Sequence, residues 1–326
     1  MNNYQKYANS KGIIQLITLA AITLIIIGLV LFVSKDFISV RTKPSESQLQ
    51  QKTEEPKIEE AKVTTSPISS PSIRPTIIST PKATITPTPA PIVNNAPPGA
   101  GYSRQSVSTD AGIFTVSLIA SDIASTRVIV DTASQSDCGN NCPALSLSDY
   151  VSRNGGFAGI NGTYFCPKDY ASCAGKENTF DLLVMNKDKY YFNSGNNVYS
   201  SNPAVIFGSG YVRFVSSGSE WGRDTGVNGV IMNYPLLVFN NEIRFGGDDD
   251  PKKGSKGSRS FVATKAGTIY IGVVHSATVA ESARVMKALG MENAMNLDNG
   301  GSTALWYGGY KVGPGRAIPN AIVFTR

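Results

Sequence analysis

The sequence predicts an α+β domain, a β-rich mixed sheet with a few packed helices, preceded by an N-terminal transmembrane helix and a disordered stalk. Three observations support this. Composition changes sharply near residue 100, from Pro, Thr, Ser, Lys and Glu to a globular mixture. Beyond that point, short runs rich in Val, Ile, Phe and Tyr ("GIFTVSLIA", "AVIFG", "TIYIGVV", "NAIVF") recur between Gly, Asn, Asp and Pro, the punctuation of strands and turns. Only two stretches show helical signals, and both carry their own stops.

In chain order, residues 1–11 are a short polar tail. Residues 12–33, "GIIQLITLAAITLIIIGLVLFV", carry no charge and match the roughly 20 residues a helix needs to cross a bilayer core. The run is longer than a signal-peptide core and ends in "LFVSKDF" without a small-x-small cleavage site, so it reads as an uncleaved signal-anchor. Lys6 and Lys11 precede it and Lys35, Arg41 and Lys43 follow it, so the flanking charge does not fix its orientation. Residues 34–100, including "SPISSPSIRPTIISTPKATITPTPAPIV", bury too little apolar surface to offset the entropy of ordering, and the prolines favour an extended spacer. Residues 101–326 are long enough for one globular domain.

The two helices in that domain are "LSLSDYVSRNGG", ending at Asn154 and Gly155, and "TVAESARVMKALG". In the second, Thr278 and Glu281 form a capping box, Val279, Ala283, Met286 and Leu289 share one face, and Gly290 stops the helix. All four cysteines, Cys138, Cys142, Cys166 and Cys173, lie in this domain in two close pairs. An even number in an exported domain suggests two disulfides, with three connectivities open; a four-Cys zinc site would usually show C-x2-C knuckles. The cysteines thus lead us to expect the domain outside the cytoplasm, and the apolar segment 12–33 a single-pass anchor in the cell membrane.

Of the titratable residues, 30 are Lys or Arg and 24 Asp or Glu, a formal charge of +6, but the basic residues are scattered apart from Lys252 to Arg259. There is no aromatic-interleaved basic stripe, so no nucleic-acid partner is expected. The sole histidine is His275, and there is no G-x-S-x-G elbow, Walker loop, H-E-x-x-H or G-x-G-x-x-G before a helix. Serine hydrolase, kinase, zincin and Rossmann chemistry lose their main support. No cofactor is expected; Asp248 to Asp250 read as a solvated acidic turn, with calcium the one cation they would suit.

What remains is polar residues at glycine-containing turns between apolar strands. Asn161–Gly162 in "AGINGTYF" and Asn296 with Asp298 in "MNLDNGGS" each follow an apolar run. Either turn alone reads as a hairpin; together, with a carboxylate at one, they suggest a site where a ligand nears the main chain. "NGT" also fits a glycosylation sequon, although its flanks are apolar. Arg259, at the end of the Gly/Ser loop "KKGSKGSRSFVAT", is either a solvated base or an anion clamp, and Glu281 is explained by its capping box.

Taken in order, these segments resemble the phosphodiester glycosidase family: "NGTYF" at 161–165, "PLLVF" at 235–239, "SRSFVAT" at 258–264, "NLDNGGST" at 296–303 and "RAIPNAIVF" at 316–324. Asn299 replaces the first glycine of the family's usual triplet, and Thr303 stands where a second serine is common. Asn tolerates a left-handed backbone, so the turn is expected to survive. The resemblance implies hydrolysis of a sugar-1-phosphodiester between anomeric carbon and phosphate oxygen, in cell-envelope glycans for an anchored domain. It implies Asp298 as the carboxylate at the cationic centre and Arg259 as the phosphate clamp. Asn161, Gly162 and Asn296 would bind the sugar or shape the pocket, Gly300 and Gly301 would leave room for substrate, Ser302 would donate to the anion, and Arg316 would be a second anion contact or a fold-closing ion pair. The competing readings are a non-catalytic glycan-binding module of the same fold, favoured by Asn299, and an envelope protein in which the stalk is the working part.

Overall fold

The computed structural model describes residues 93–197 and 200–326; the membrane segment expected at 12–33 and the stalk as far as residue 92 lie outside them. Strands β1 (Gly101–Thr109), β2 (Gly112–Asp122) and β3 (Arg127–Thr132) lead to helix α1 (Leu147–Arg153) and β4 (Ala158–Asn161). Short strands β5 (Val184–Met185), β6 (Tyr191–Phe192), β7 (Ala204–Phe207), β8 (Val212–Val215) and β9 (Gly229–Met232) follow. Next come β10 (Leu236–Phe239), β11 (Glu242–Ile243), β12 (Gly257–Lys265), β13 (Thr268–Ala277) and helix α2 (Val279–Ala288). The chain closes with β14 (Asn293–Asn296), β15 (Leu305–Tyr307), β16 (Tyr310–Val312) and β17 (Asn320–Thr325).

The fold is β-rich with few helices, distributed over three sheets rather than one. Their orders are β1-β2-β13-β12-β14-β10-β11, β16-β15-β4-β17-β3 and β6-β5-β9-β7-β8. Every ladder between these strands is antiparallel. Successive side chains point to opposite faces of a strand, and here many strands are covered on both. In β7, Val205 and Phe207 enter the core shared by the three sheets, whereas Ala204 and Ile206 pack with Trp221 on the other side. In β17, Ile322 and Phe324 face the shared core and Ala321 and Val323 face α1. Double-sided burial explains the continuous apolar runs, where a half-exposed antiparallel strand would alternate.

Both helices form where expected, the second with its expected capping box and the first with one the sequence reading did not name. Ser146 caps α1 in a box with Asp149, and Thr278 caps α2 in a box with Glu281. Val279, Ala283 and Met286 of α2 are buried against Val107, Val116 and Ala263 on the outer face of the first sheet, at roughly 1.5–3 kcal/mol for each large apolar side chain. The cysteines form two local disulfides, Cys138–Cys142 and Cys166–Cys173.

Candidate active site

One central strand of each sheet ends in an asparagine or runs directly into one: Asn161 closes β4, Asn296 closes β14 and Asn233 follows β9. All three are fully buried, so their amides must be satisfied within the protein. They satisfy one another's turns. Asn161 donates through Nδ2 to the carbonyl of Asp298 at 2.7 Å and accepts at Oδ1 from the Ser260 hydroxyl at 2.8 Å and the Ala304 amide at 3.1 Å. The Asp298 amide donates to the Gly162 carbonyl at 2.9 Å. Two bonds therefore clasp the backbone of Asp298 to the turn after β4.

Asn233 donates to the Asn296 carbonyl at 2.7 Å and accepts from the Thr163 hydroxyl and the Tyr164 amide, each at 3.0 Å. Asn296 Nδ2 lies 2.7 Å from the Tyr164 hydroxyl and also contacts the Tyr234 and Leu297 carbonyls, while its Oδ1 accepts from Asn299 Nδ2 at 3.0 Å. Protein groups thus engage both ends of the Asn161 and Asn296 side chains, which brace the turns and fit the pocket-shaping alternative of the sequence reading. Burial of Asn161 also removes the sequon as a glycan acceptor.

Asn299 needs no left-handed backbone: its φ is −127° and ψ −178°, extended values open to any residue. The positive φ falls on Gly300, at +62°. Asn299 accepts from the Ser260 amide at 2.9 Å, so the residue that departs from the family triplet ties the turn to β12.

Two glycines permit close approaches. A Cβ on Gly162 would stand 1.7 Å from Asn320 Oδ1, the atom that accepts the Thr163 amide at 3.0 Å. A Cβ on Gly301 would stand 2.3 Å from a terminal nitrogen of Arg316, so the absent side chain there makes room for this guanidinium. Gly162→Ala must displace Asn320 and orphan a buried amide, a loss of about 1–3 kcal/mol. Thermal melting is expected to show a fall of about 2–4 °C per kcal/mol; an unchanged midpoint would contradict this packing.

The two arginines, read from the sequence as phosphate clamp and second anion contact, differ in what they touch. Arg259 is 6% exposed and spends its donors on main-chain carbonyls: Nε to Ala277 at 2.9 Å, and one terminal nitrogen to Lys252 at 2.9 Å and to Ser255. It anchors the helical turn Pro251–Gly254 to the end of β13, and its own charged form is disfavoured by lost hydration. Arg316 is different. Its Nε and one terminal nitrogen are buried with no hydrogen-bond acceptor. Its only carboxylate within salt-bridge range among the described residues is the exposed Asp169, at 3.5 Å, and the Tyr170 ring lies 5.5 Å away.

Asp298 is half-buried. Loss of hydration pushes its carboxyl up to about 7, against hydrogen bonds from the Ser302 side chain and the Asn299 amide and against the positive charge of Arg316, while the negative charge of Asp181 adds to the rise. Ser302, 2% exposed, is the residue whose side chain favours the ionised carboxylate most. Burial and the nearby Asp298 also push the Tyr164 hydroxyl upward, keeping it a neutral donor.

Asn233, Tyr164 and Asp181 are site residues that sequence reasoning missed. Asn233 carries the same signature as the other two asparagines, an apolar run ("GVIM") ending in Asn. Asp181 has no such signal in "TFDLLVM"; it is positioned by its amide, which donates to the Tyr164 carbonyl at 3.3 Å.

The acidic turn at 248–250 is internally paired, Asp248 with Lys253 and Asp250 as cap of the Pro251–Gly254 turn. Among the described residues no three His, Cys, Asp or Glu side chains converge as a metal cluster. His275 lies outside the site, 2.9 Å from the Ser117 hydroxyl.

The arrangement is a glycine-bounded turn presenting a carboxyl raised by lost hydration, within electrostatic reach of a guanidinium whose buried Nε has no acceptor. The phosphodiester glycosidase family model matches residues 154–325, just over half of the chain. The chain belongs to this family. The matched stretch runs from the end of α1 to β17 and includes Asn161, Asn233, Arg259, Asp298 and Arg316. The fold is shared with the zebrafish N-acetylglucosamine-1-phosphodiester α-N-acetylglucosaminidase catalytic domain auto-inhibited by pro-peptide, at 14% identity and a TM-score of 0.53 over 69% of this chain and 82% of that one. It is also shared with a hypothetical protein from Synechocystis, at 15% identity and a TM-score of 0.54. That likeness covers 69% of this chain and 62% of the Synechocystis chain. A search among curated proteins found no significant match.

Proposed function

We propose that this phosphodiester glycosidase hydrolyses sugar-1-phosphodiesters resembling those of N-acetylglucosamine, in glycans of the cell envelope, from a membrane anchor at residues 12–33 that holds the domain outside the cytoplasm. The observation that carries the reading is Asp298, its carboxyl pushed up to about 7 and its charge felt by Arg316. Water attacks the anomeric carbon, the bond from that carbon to the phosphate oxygen breaks, and the phosphomonoester leaves with the bonding electrons. Asp298 in its ionised form takes the proton of the attacking water and stabilises the oxocarbenium-like centre. The leaving phosphate is a weak base and needs little general acid, in keeping with a site that holds no histidine. Arg316, whose buried Nε has no acceptor and whose one terminal nitrogen faces only the exposed Asp169, stabilises that phosphate's charge as preorganised donors do. Arg259 supports the site from behind.

The non-catalytic reading rested on Asn299, which the turn accommodates in extended backbone.

The purified chain, incubated with a panel of sugar-1-phosphodiesters, is expected to release free sugar. Because the ionised form of Asp298 is required, kcat/KM should rise with pH and level off above about 7. No release from any substrate by folded protein overturns the assignment, and a rate that falls through pH 7 assigns Asp298 the opposite proton role.

A further inference from the structure

We infer that Asn299 is a positioning residue for Asp298: its side chain, held between β12 and β14, fixes the main-chain amide that donates to the Asp298 carboxylate. The inference rests on the function proposed above for its effect on rate. It concerns how this chain holds that carboxyl, through the residue that replaces the first glycine of the family's triplet.

Asn299 is engaged at every polar atom. Its amide donates to Asp298 Oδ1 at 2.8 Å, and its carbonyl accepts from the Ser302 amide at 3.4 Å. In the side chain, Oδ1 accepts from the Ser260 amide at 2.9 Å while Nδ2 donates to Asn296 Oδ1 at 3.0 Å. The order of donor and acceptor is forced. Turned over, the side-chain amide would set its N–H against the Ser260 N–H and its oxygen against the Asn296 oxygen. Asn296 cannot turn to suit it, because its own Nδ2 is directed at the Tyr164 hydroxyl and the Tyr234 and Leu297 carbonyls. Ser260 and Asn296 are both fully buried, so the clamp is fixed to two adjacent strands of the first sheet.

A glycine at 299 would leave the same amide on a freely rotating chain, since Gly300, at φ +62°, and Gly301 follow it. Two groups that favour the ionised form of Asp298 depend on this residue: its own amide, and Ser302, whose main chain bonds its carbonyl. Loss of hydration is the largest influence on the carboxyl and opposes them; the Arg316 charge acts with them and the Asp181 charge against. Tyr164 lies within electrostatic reach as a neutral donor. A hydrogen bond to the ionised form counts only while its geometry holds. Releasing Asn299 therefore raises the pH at which Asp298 ionises.

The test follows Asp298 directly, by NMR of the full chain carrying carboxyl-labelled aspartate, its resonance identified by its loss in Asp298→Asn. Asn299→Ala and Asn299→Gly should each move the ionisation midpoint upward by about half a pH unit, the scale of weakening one charge-assisted hydrogen bond. On sugar-1-phosphodiesters, turnover per folded molecule should then fall about threefold near pH 6 and match the parent near pH 9. A purely structural role would instead lower turnover by the unfolded fraction at every pH. Alanine fits the extended backbone of position 299 and removes only the side-chain amide. A midpoint that moves in Asn299→Gly but not in Asn299→Ala assigns the effect to chain stiffness and overturns the clamp, as does a midpoint unchanged in both. Asn299→Ser, too short to bridge both anchors, takes the place of the alanine variant should that one not fold. If the parent releases no sugar from any substrate the hydrolase reading falls, while the titration still decides the clamp.

Discussion

Asp298→Asn is expected to leave a folded protein whose sugar-1-phosphodiester hydrolysis falls by about 100- to 10,000-fold, the range attributed to a positioned proton-transfer group. The amide keeps the size of the carboxyl, and the clasp on this residue engages its main chain through Asn161 and Gly162, so geometry survives while the proton acceptor is lost. Stability should move the other way. In the folded protein Asp298 holds its proton up to about pH 7, whereas an unfolded carboxyl releases it near pH 4. The folded state therefore binds the extra proton between these values: the associated stability is complete below about pH 4 and is lost as pH rises through about 7. Asparagine carries no such loss. At pH 8 the variant should melt above the parent, by about 2–4 °C for each kcal/mol recovered. A variant that melts lower and loses activity only in proportion to unfolding would make Asp298 a structural residue.

The second large effect separates the arginines. Arg316→Gln should lower kcat/KM by about 100- to 1,000-fold, as loss of a preorganised donor to developing charge does, with little change in melting, since its Nε has no acceptor to lose and one terminal nitrogen gives up only the ion pair with the exposed Asp169. Arg259→Gln should do the reverse. It strips donors from the carbonyls of Ala277, Lys252 and Ser255, costing about 1–3 kcal/mol, while kcat/KM per folded molecule stays within about 10-fold. If Arg259→Gln abolishes turnover at unchanged melting temperature and Arg316→Gln does not, the phosphate contact belongs to Arg259.

The different contacts of these two arginines mark the boundary of what the sequence discloses. Asp298 is legible because a carboxylate in a Gly-rich turn after a buried strand is more than a hairpin requires. The two arginines look alike in sequence, since what distinguishes them is which carbonyls lie within reach once β12 and β13 pair. The asparagines are similar: their places at strand ends are legible, but their role as braces depends on contacts between sheets. Both helices are written locally, in caps and stops, and are found where expected. The division into three sheets is not local, because β4 pairs with β15 and β17 from the far end of the chain, and no run of residues encodes its remote neighbour.

The asparagine junction bears on how this protein meets its surroundings. Amides, hydroxyls and peptide groups neither gain nor lose protons over the pH range in which proteins stay folded, so the mount that aims Asp298 has no acid–base response of its own. An ion-paired cradle would loosen as its members titrated and would mix a change of shape into every change of rate. Here acidification alters the occupant and leaves the holder still, so a shift in ambient pH would dim the reaction reversibly without disassembling the site.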